Sequence, residues 1–151
     1  MNETVCIKRL PRGDGTLPPM PAYQTEGAAA MDLHAFLEAP VTLEPMERRA
    51  VPTGLCLEMP AALAAFVLAR SGLSTKKGLA LANGVGLIDP DYRGELLCSV
   101  INLSAEPLTI CDGDRIAQLL FQPFCRPALA EQDTLSETRR GSGGFGSTGK
   151  R

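Results

Sequence analysis

No apolar run in the 151 residues approaches the roughly 20 needed to cross a bilayer. The N-terminal stretch, Met1 to Arg9, lacks the apolar block of a signal peptide, so the expected compartment is the cytoplasm and no membrane partner is expected. There is no Cys-x-x-Cys pair. The five cysteines, Cys6, Cys56, Cys98, Cys111 and Cys125, are odd in number, which argues against a disulfide framework and against a zinc site. Most stand in apolar, strand-like surroundings and are expected to be small buried hydrophobes. An excess of basic residues is also missing: 15 Lys and Arg against 17 Asp and Glu leave a formal charge of −2. That gives no support for a nucleic-acid partner, although a few local cations could still hold an anionic substrate. His34 is the single histidine and is expected on the surface or in a strand, not as a ligand. No internal repeat and no coiled-coil pattern is visible.

What is present is ordinary for a globular chain, with 44% apolar and 21% charged residues. A length of 151 residues predicts one domain, 1–151, large enough to bury roughly 70% of its unfolded surface. Short strand-like segments recur: Val5 to Leu10, Val41 to Leu43, Arg49 to Val51, Leu55 to Met59, Phe66 to Leu68, Leu108 to Ile110 and Ile116 to Pro123. Pro40, Pro45, Pro52-Thr53-Gly54 and Pro60 are expected to separate the early ones. Such spacing predicts an all-β sandwich or barrel. Ala61 to Ala65 is expected to be a turn, being too short for a stable helix. Ser71 to Lys77 is expected to form one short helix ending at Gly78, and Gly13 to Pro21 a loop. Beyond Arg126 the chain turns polar and then glycine-rich, so about 1–125 reads as a β core and about 126–151 as a C-terminal arm.

Four stretches carry groups suited to chemistry. Leu87-Ile88 leads into Asp89-Pro90-Asp91, a turn by residue type, and Leu96 to Ile101 reads as the following strand. The whole is expected to be a β-hairpin with Asp89 and Tyr92 at its tip, although a solvated turn has the same composition. Arg70-Ser71-Gly72 offers a forked cation, a hydroxyl and exposed N–H groups at a helix start, suited to phosphate and equally to an N-cap beside a surface Arg. Gln118 offers an amide that donates and accepts, within an otherwise plain strand. The Arg139 to Gly149 segment has the composition of a flexible linker, yet Phe145 among glycines could stack on a base. It misses the Walker pattern, since Arg151 follows Lys150 where Ser or Thr is needed.

Taken in order, and together with Ala28 to Leu33, these segments closely resemble the five motifs of the dUTPases, the deoxyuridine triphosphate nucleotidohydrolases. Ala28 to Leu33 is similar to the first motif, Arg70 to Ser74 to the second, Asn83 to Gly94 to the third, Gly113 to Leu119 to the fourth, and the glycine-rich tail to the fifth. Ala30 departs mildly from the glycine often found in the first. The resemblance implies a jelly-roll subunit with a flexible tail, a homotrimer with shared active sites, and Mg²⁺-dependent hydrolysis of dUTP to dUMP and pyrophosphate. Such an activity keeps uracil out of DNA and supplies dUMP for dTMP synthesis. It implies that Asp89 is the base for the attacking water. Arg70, Ser71, Gly72, Gln118, Arg140, Ser147 and Thr148 would hold phosphates, and Asp32 would approach Mg²⁺ through water. Asn83, with backbone groups of Leu87, Ile88 and Leu97, would pair with uracil. Tyr92 would pack beneath the deoxyribose and refuse a 2′-hydroxyl, while Phe145 and Gly146 would close over the base. Arg115 is as suited to tying the fold together as to touching ligand. Two other readings of the same fold are a deoxycytidine triphosphate deaminase, opposed by Tyr92 and Ser99 where that branch has Trp and Glu, and a regulatory binding protein without catalysis.

Overall fold

The computed structural model describes residues 4–144. Ten strands and one helix follow in the order β1 (Cys6–Arg9), β2 (Met31–His34), β3 (Val41–Leu43), β4 (Arg48–Glu58), β5 (Leu63–Ala69), α1 (Ser71–Lys77), β6 (Leu79–Leu81), β7 (Gly86–Ile88), β8 (Glu95–Asn102), β9 (Leu108–Ile110) and β10 (Arg115–Pro123). Two antiparallel four-stranded sheets, ordered β1-β4-β8-β6 and β2-β10-β5-β7, are accompanied by the two-stranded β3-β9 pair. Their inner faces share one apolar cluster that includes Leu33, Val51, Leu55, Val67, Val100 and Leu119. This is the all-β, jelly-roll-like sandwich expected, with a single short helix among the described residues.

Four local expectations are corrected. Pro52-Thr53-Gly54 does not divide two strands, because β4 runs through it as a bulge. Side chains satisfy the interrupted ladder there: Thr53 Oγ1 donates to the Leu96 carbonyl at 2.7 Å, and the Gly54 N–H donates to Glu95 Oε1 at 2.7 Å. A bulge is one of the few places where a central strand accepts proline. Leu63, Ala64 and Ala65 are not turn but the start of β5, since buried alanines fit between β7 and β10 and pairing overrides their weak strand propensity. The turn is confined to Pro60–Ala62, with Leu63 N–H bonded to the Pro60 carbonyl. Only Cys56 and Cys98 are buried, whereas Cys6 on an edge strand, Cys111 before a turn and Cys125 past the end of β10 are exposed.

The fourth correction concerns the expected hairpin. β8 pairs with β6, while Leu87-Ile88 pairs with Phe66 and Ala65 of β5 in the other sheet. The chain between Leu81 and Glu95 is thus a long excursion that touches both sheets. Residues 126–144 hold no strand or helix and are almost entirely exposed.

Candidate active site

Three neighbouring strands gather one group of polar residues. Gln118 of β10 lies opposite Asp32 of β2 on one side and Leu68 of β5 on the other. Arg70 follows β5 in extended conformation as the residue before α1, so its side chain turns back toward the same row. Arg70 Nε lies 2.9 Å from Asp32 Oδ1, and Arg115 Nη1 lies 3.3 Å from Asp32 Oδ2. Arg70 Nη1 also donates to the Arg115 carbonyl at 2.9 Å. Asp32 is a strand residue only 4% exposed, and it ties two cations. The Arg70 N–H is turned off the line to Oδ1, so that contact is held by charge and leaves Oδ1 without a hydrogen bond.

Ser71 opens α1 and is exposed, with no capping bond from a side chain. The N–H groups of its first turn have no intrahelical acceptors. Arg70, Ser71, Gly72 and Gln118 line one cavity of about 330 Å³, together with Leu73, Lys76 and Lys77. The two lysines are residues that the sequence reading missed; their spacing of four from Gly72 and Leu73 was the available signal. Burial holds the His34 imidazole below its usual range; nearby Asp32 opposes this, while Arg115 and Arg70 add to it. His34 therefore contributes little positive charge beside this cavity at neutral pH.

No group of three His, Cys, Asp or Glu that could hold a metal ion is gathered anywhere among the described residues. Asp32 Oδ1 is buried 2.9 Å from the Arg70 guanidinium and Asp32 does not line the cavity, so this carboxylate could meet a Mg²⁺ only through that ion's waters and alongside phosphate oxygens, not as a ligand in a protein cage.

The second group sits at the other end of β5. Leu87, Ile88, Asp89, Tyr92 and Leu97 line a cavity of about 230 Å³, joined by Glu95. The turn is closed by the Tyr92 N–H bonding to the Asp89 carbonyl at 3.2 Å. Tyr92 donates its hydroxyl to the Glu95 carbonyl at 3.1 Å and lies across Gly94, where any β-carbon would collide with the phenol. Asp89 is exposed while Pro90 beside it is buried, so the acid is presented on an anchored turn. Asn83 does not line this cavity; it is exposed in the turn before β7, with its carbonyl accepting from the Val85 N–H at 2.8 Å. Arg140 lines neither cavity, and its Nε donates to the Gly143 carbonyl at 2.8 Å within the arm. Phe145, Gly146, Ser147 and Thr148 lie outside the described residues.

The two cavities share no residue. Ile88 faces Ala65, so Asp89 is level with Ala64, six residues before Arg70 on the same strand path. At about 3.3 Å per strand residue, the acid and the cationic set are about 20 Å apart along β5.

A family model described as dUTPase matches residues 18–149. The chain belongs to the dUTPase family. It is 56% identical over 133 residues to a deoxyuridine 5'-triphosphate nucleotidohydrolase of Desulfitobacterium hafniense, covering 87% of this chain and 88% of that protein. A protein of the same name from Methylocella silvestris is 51% identical, with 97% and 91% covered. One from Xanthomonas campestris is 47% identical over the full length of both. Among solved structures, the family member from Staphylococcus bacteriophage 80alpha with dUPNHPP superposes with a TM-score of 0.87 at 26% identity, covering 99% of each chain. A mutant dUTPase of phage phi11, described for its coordination of a structural Mg(II) ion, shares the fold with a TM-score of 0.77 at 22% identity, covering 89% of this chain and 99% of that one.

Proposed function

We propose that this family member hydrolyses dUTP to dUMP and pyrophosphate. The observation that carries this reading is the division of labour between two cavities. One is walled by Arg70, Ser71, Gly72 and Gln118, the other by Asp89 and Tyr92. The first is suited to phosphates and the second to a nucleoside with an acid at its edge.

In the reaction, a water oxygen bonds to the α-phosphorus while the bond to the β-phosphate oxygen breaks. Pyrophosphate departs with that electron pair, and the water's proton passes to Asp89. A positioned carboxylate of this kind supplies roughly 10²- to 10⁴-fold. Arg70, Ser71 and Gln118, with Arg140, Ser147 and Thr148 of the arm, orient the phosphates and stabilise charge as it moves to the leaving group. Mg²⁺, when bound near Asp32, supplies further neutralisation of the phosphates. Tyr92 fills the space a 2′-hydroxyl would need. Asn83 and the backbone of Leu87, Ile88 and Leu97 read uracil, and Phe145 and Gly146 cover it.

With the two groups about 20 Å apart in one chain, the working site takes them from different copies. We assign Asp32, Arg70 to Gly72 and Gln118 to one subunit of a homotrimer, the Asp89 turn to a second and the arm to a third. The protein is assigned to the cytoplasm as one domain with a C-terminal arm.

The test is pyrophosphate release with Mg²⁺ from dUTP, UTP, dCTP and dTTP, alongside Asp89→Ala. Release from dUTP alone, abolished in the variant, is expected. Ammonia released from dCTP in its place would overturn the reading.

A further inference from the structure

α1 does more to the phosphate cavity than present its first turn. Lys76 and Lys77, in its last turn, line the same cavity as Ser71, Gly72 and Gln118. The lining includes three cationic side chains, Arg70, Lys76 and Lys77, and no acid. Arg70 is already engaged by Asp32, but among the described residues no carboxylate lies within 4 Å of either lysine ammonium. Helix side chains lean toward the N-terminus, and residues four apart share a face. Lys76 therefore leans over Gly72, beside which the space for a side chain is open. Its Cα stands about 7.5 Å along the axis from that of Ser71, within reach of a four-carbon stem. Lys76 and Lys77 also border a second, larger cleft of about 650 Å³ that continues from Arg70 and Leu73. Arg115, Glu106 and Asp114 also line this cleft, so its charge is mixed, whereas the phosphate cavity holds cations and no acid.

We propose that Lys76 and Lys77 form the subsite that receives the leaving pyrophosphate, with Lys76 the principal contact. This rests on the hydrolytic reading for its place in the reaction, but not for its chemistry, which is recognition of a condensed phosphate. The Ser71 end of α1 then meets the phosphate nearest the bond that breaks. The lysine end meets the phosphates that depart with the added charge. Two flexible ammoniums suit a product that must also leave, because they follow it outward without a fixed fork geometry.

The test is calorimetric titration of the intact protein with inorganic pyrophosphate and separately with dUMP, for the wild type, Lys76→Gln, Lys77→Gln and Lys76→Arg. Loss of a charge-assisted contact at this exposed position is expected to weaken pyrophosphate about tenfold in Lys76→Gln and less in Lys77→Gln. The dUMP affinity stays within about twofold, Lys76→Arg keeps most of the binding, and the deficit narrows as salt is raised. In parallel kinetics, KM for dUTP rises more than kcat falls. A role limited to the helix dipole would lower the melting temperature without separating the two products. Equal weakening of both products, unchanged pyrophosphate binding in both glutamine variants, or no pyrophosphate binding by the wild type would each overturn the proposal. Pyrophosphate binding that depends on Lys76 in a protein that hydrolyses no nucleotide would leave the subsite standing and remove the hydrolytic reading alone.

Discussion

Asp32 anchors Arg70 across two strands, with carboxylate and guanidinium 2.9 Å apart and the carboxylate almost fully buried. Asp32→Asn leaves Arg70 without its counter-charge. Because the arginine side chain keeps some access to water, the expected loss of stability is roughly 1–3 kcal/mol, below that for a fully buried pair. Denaturant unfolding measures this. KM for dUTP is expected to rise in the same variant, since Arg70 no longer points reliably into the cavity. Arg115→Gln should be milder on both counts, its contact being longer and its side chain half exposed. An Asp32→Asn protein with unaltered stability and KM would remove this anchoring role.

Asp89 and Ser71 occupy separate cavities at opposite ends of β5. Asp89→Ala and Ser71→Ala are both exposed substitutions and are expected to change stability by no more than about 0.5 kcal/mol. Each should reduce turnover severely by itself. If their chains are unfolded together and refolded, random assembly places an intact Asp89 opposite an intact Ser71 in about a quarter of shared sites. Activity should therefore reappear on mixing. A mixture as inactive as its components would mean that both groups act within one chain.

Gly94 is fixed by Tyr92, whose ring occupies the place of any β-carbon there. Gly94→Ala must displace the phenol and break its bond to the Glu95 carbonyl. Both Gly94→Ala and Tyr92→Ala are expected to narrow the gap in kcat/KM between dUTP and UTP, chiefly by admitting UTP. Unchanged discrimination in Tyr92→Ala would place the sugar filter elsewhere.

Cys98 lies at zero exposure in β8, and burial pushes its thiol up to about 12. At pH 8 it remains protonated and resists alkylation, while exposed Cys6, Cys111 and Cys125 are expected to react; mass spectrometry of the native protein reads this out. Linkage has a definite sign here. Above about pH 8.5 the unfolded thiol loses its proton while the folded one keeps it, so the Cys98 contribution to stability declines as pH rises toward 12. Modification of Cys98 as fast as Cys125 would show that the sheet opens locally.

The strands legible in the sequence were those bounded by strong punctuation, such as Val41 to Leu43 and Leu108 to Ile110, which form as expected. Pro52-Thr53-Gly54 misled because local chemistry signals a break, whereas Thr53 and Glu95 repair it through side-chain bonds that exist only once β8 is alongside. The partner of Leu87-Ile88 was equally illegible, since strand pairing is set by the tertiary layout and not by adjacency. Arg70, Ser71 and Gln118 could be singled out by residue type. Their gathering around a buried Asp32 could not, because it depends on the register of β10 against β2 and β5.

β7 is the last strand of its sheet and only three residues long. Among the described residues, its outer backbone groups meet no strand. A free edge normally threatens to recruit another chain, but three residues are too few to template one. They are enough to offer a donor and an acceptor to something the size of a pyrimidine. If uracil docks there, it is recognised by atoms that every residue type carries. Base selectivity is then insulated from most point mutations at Leu87 and Ile88, and drift in those side chains is tolerated as long as the strand holds its path.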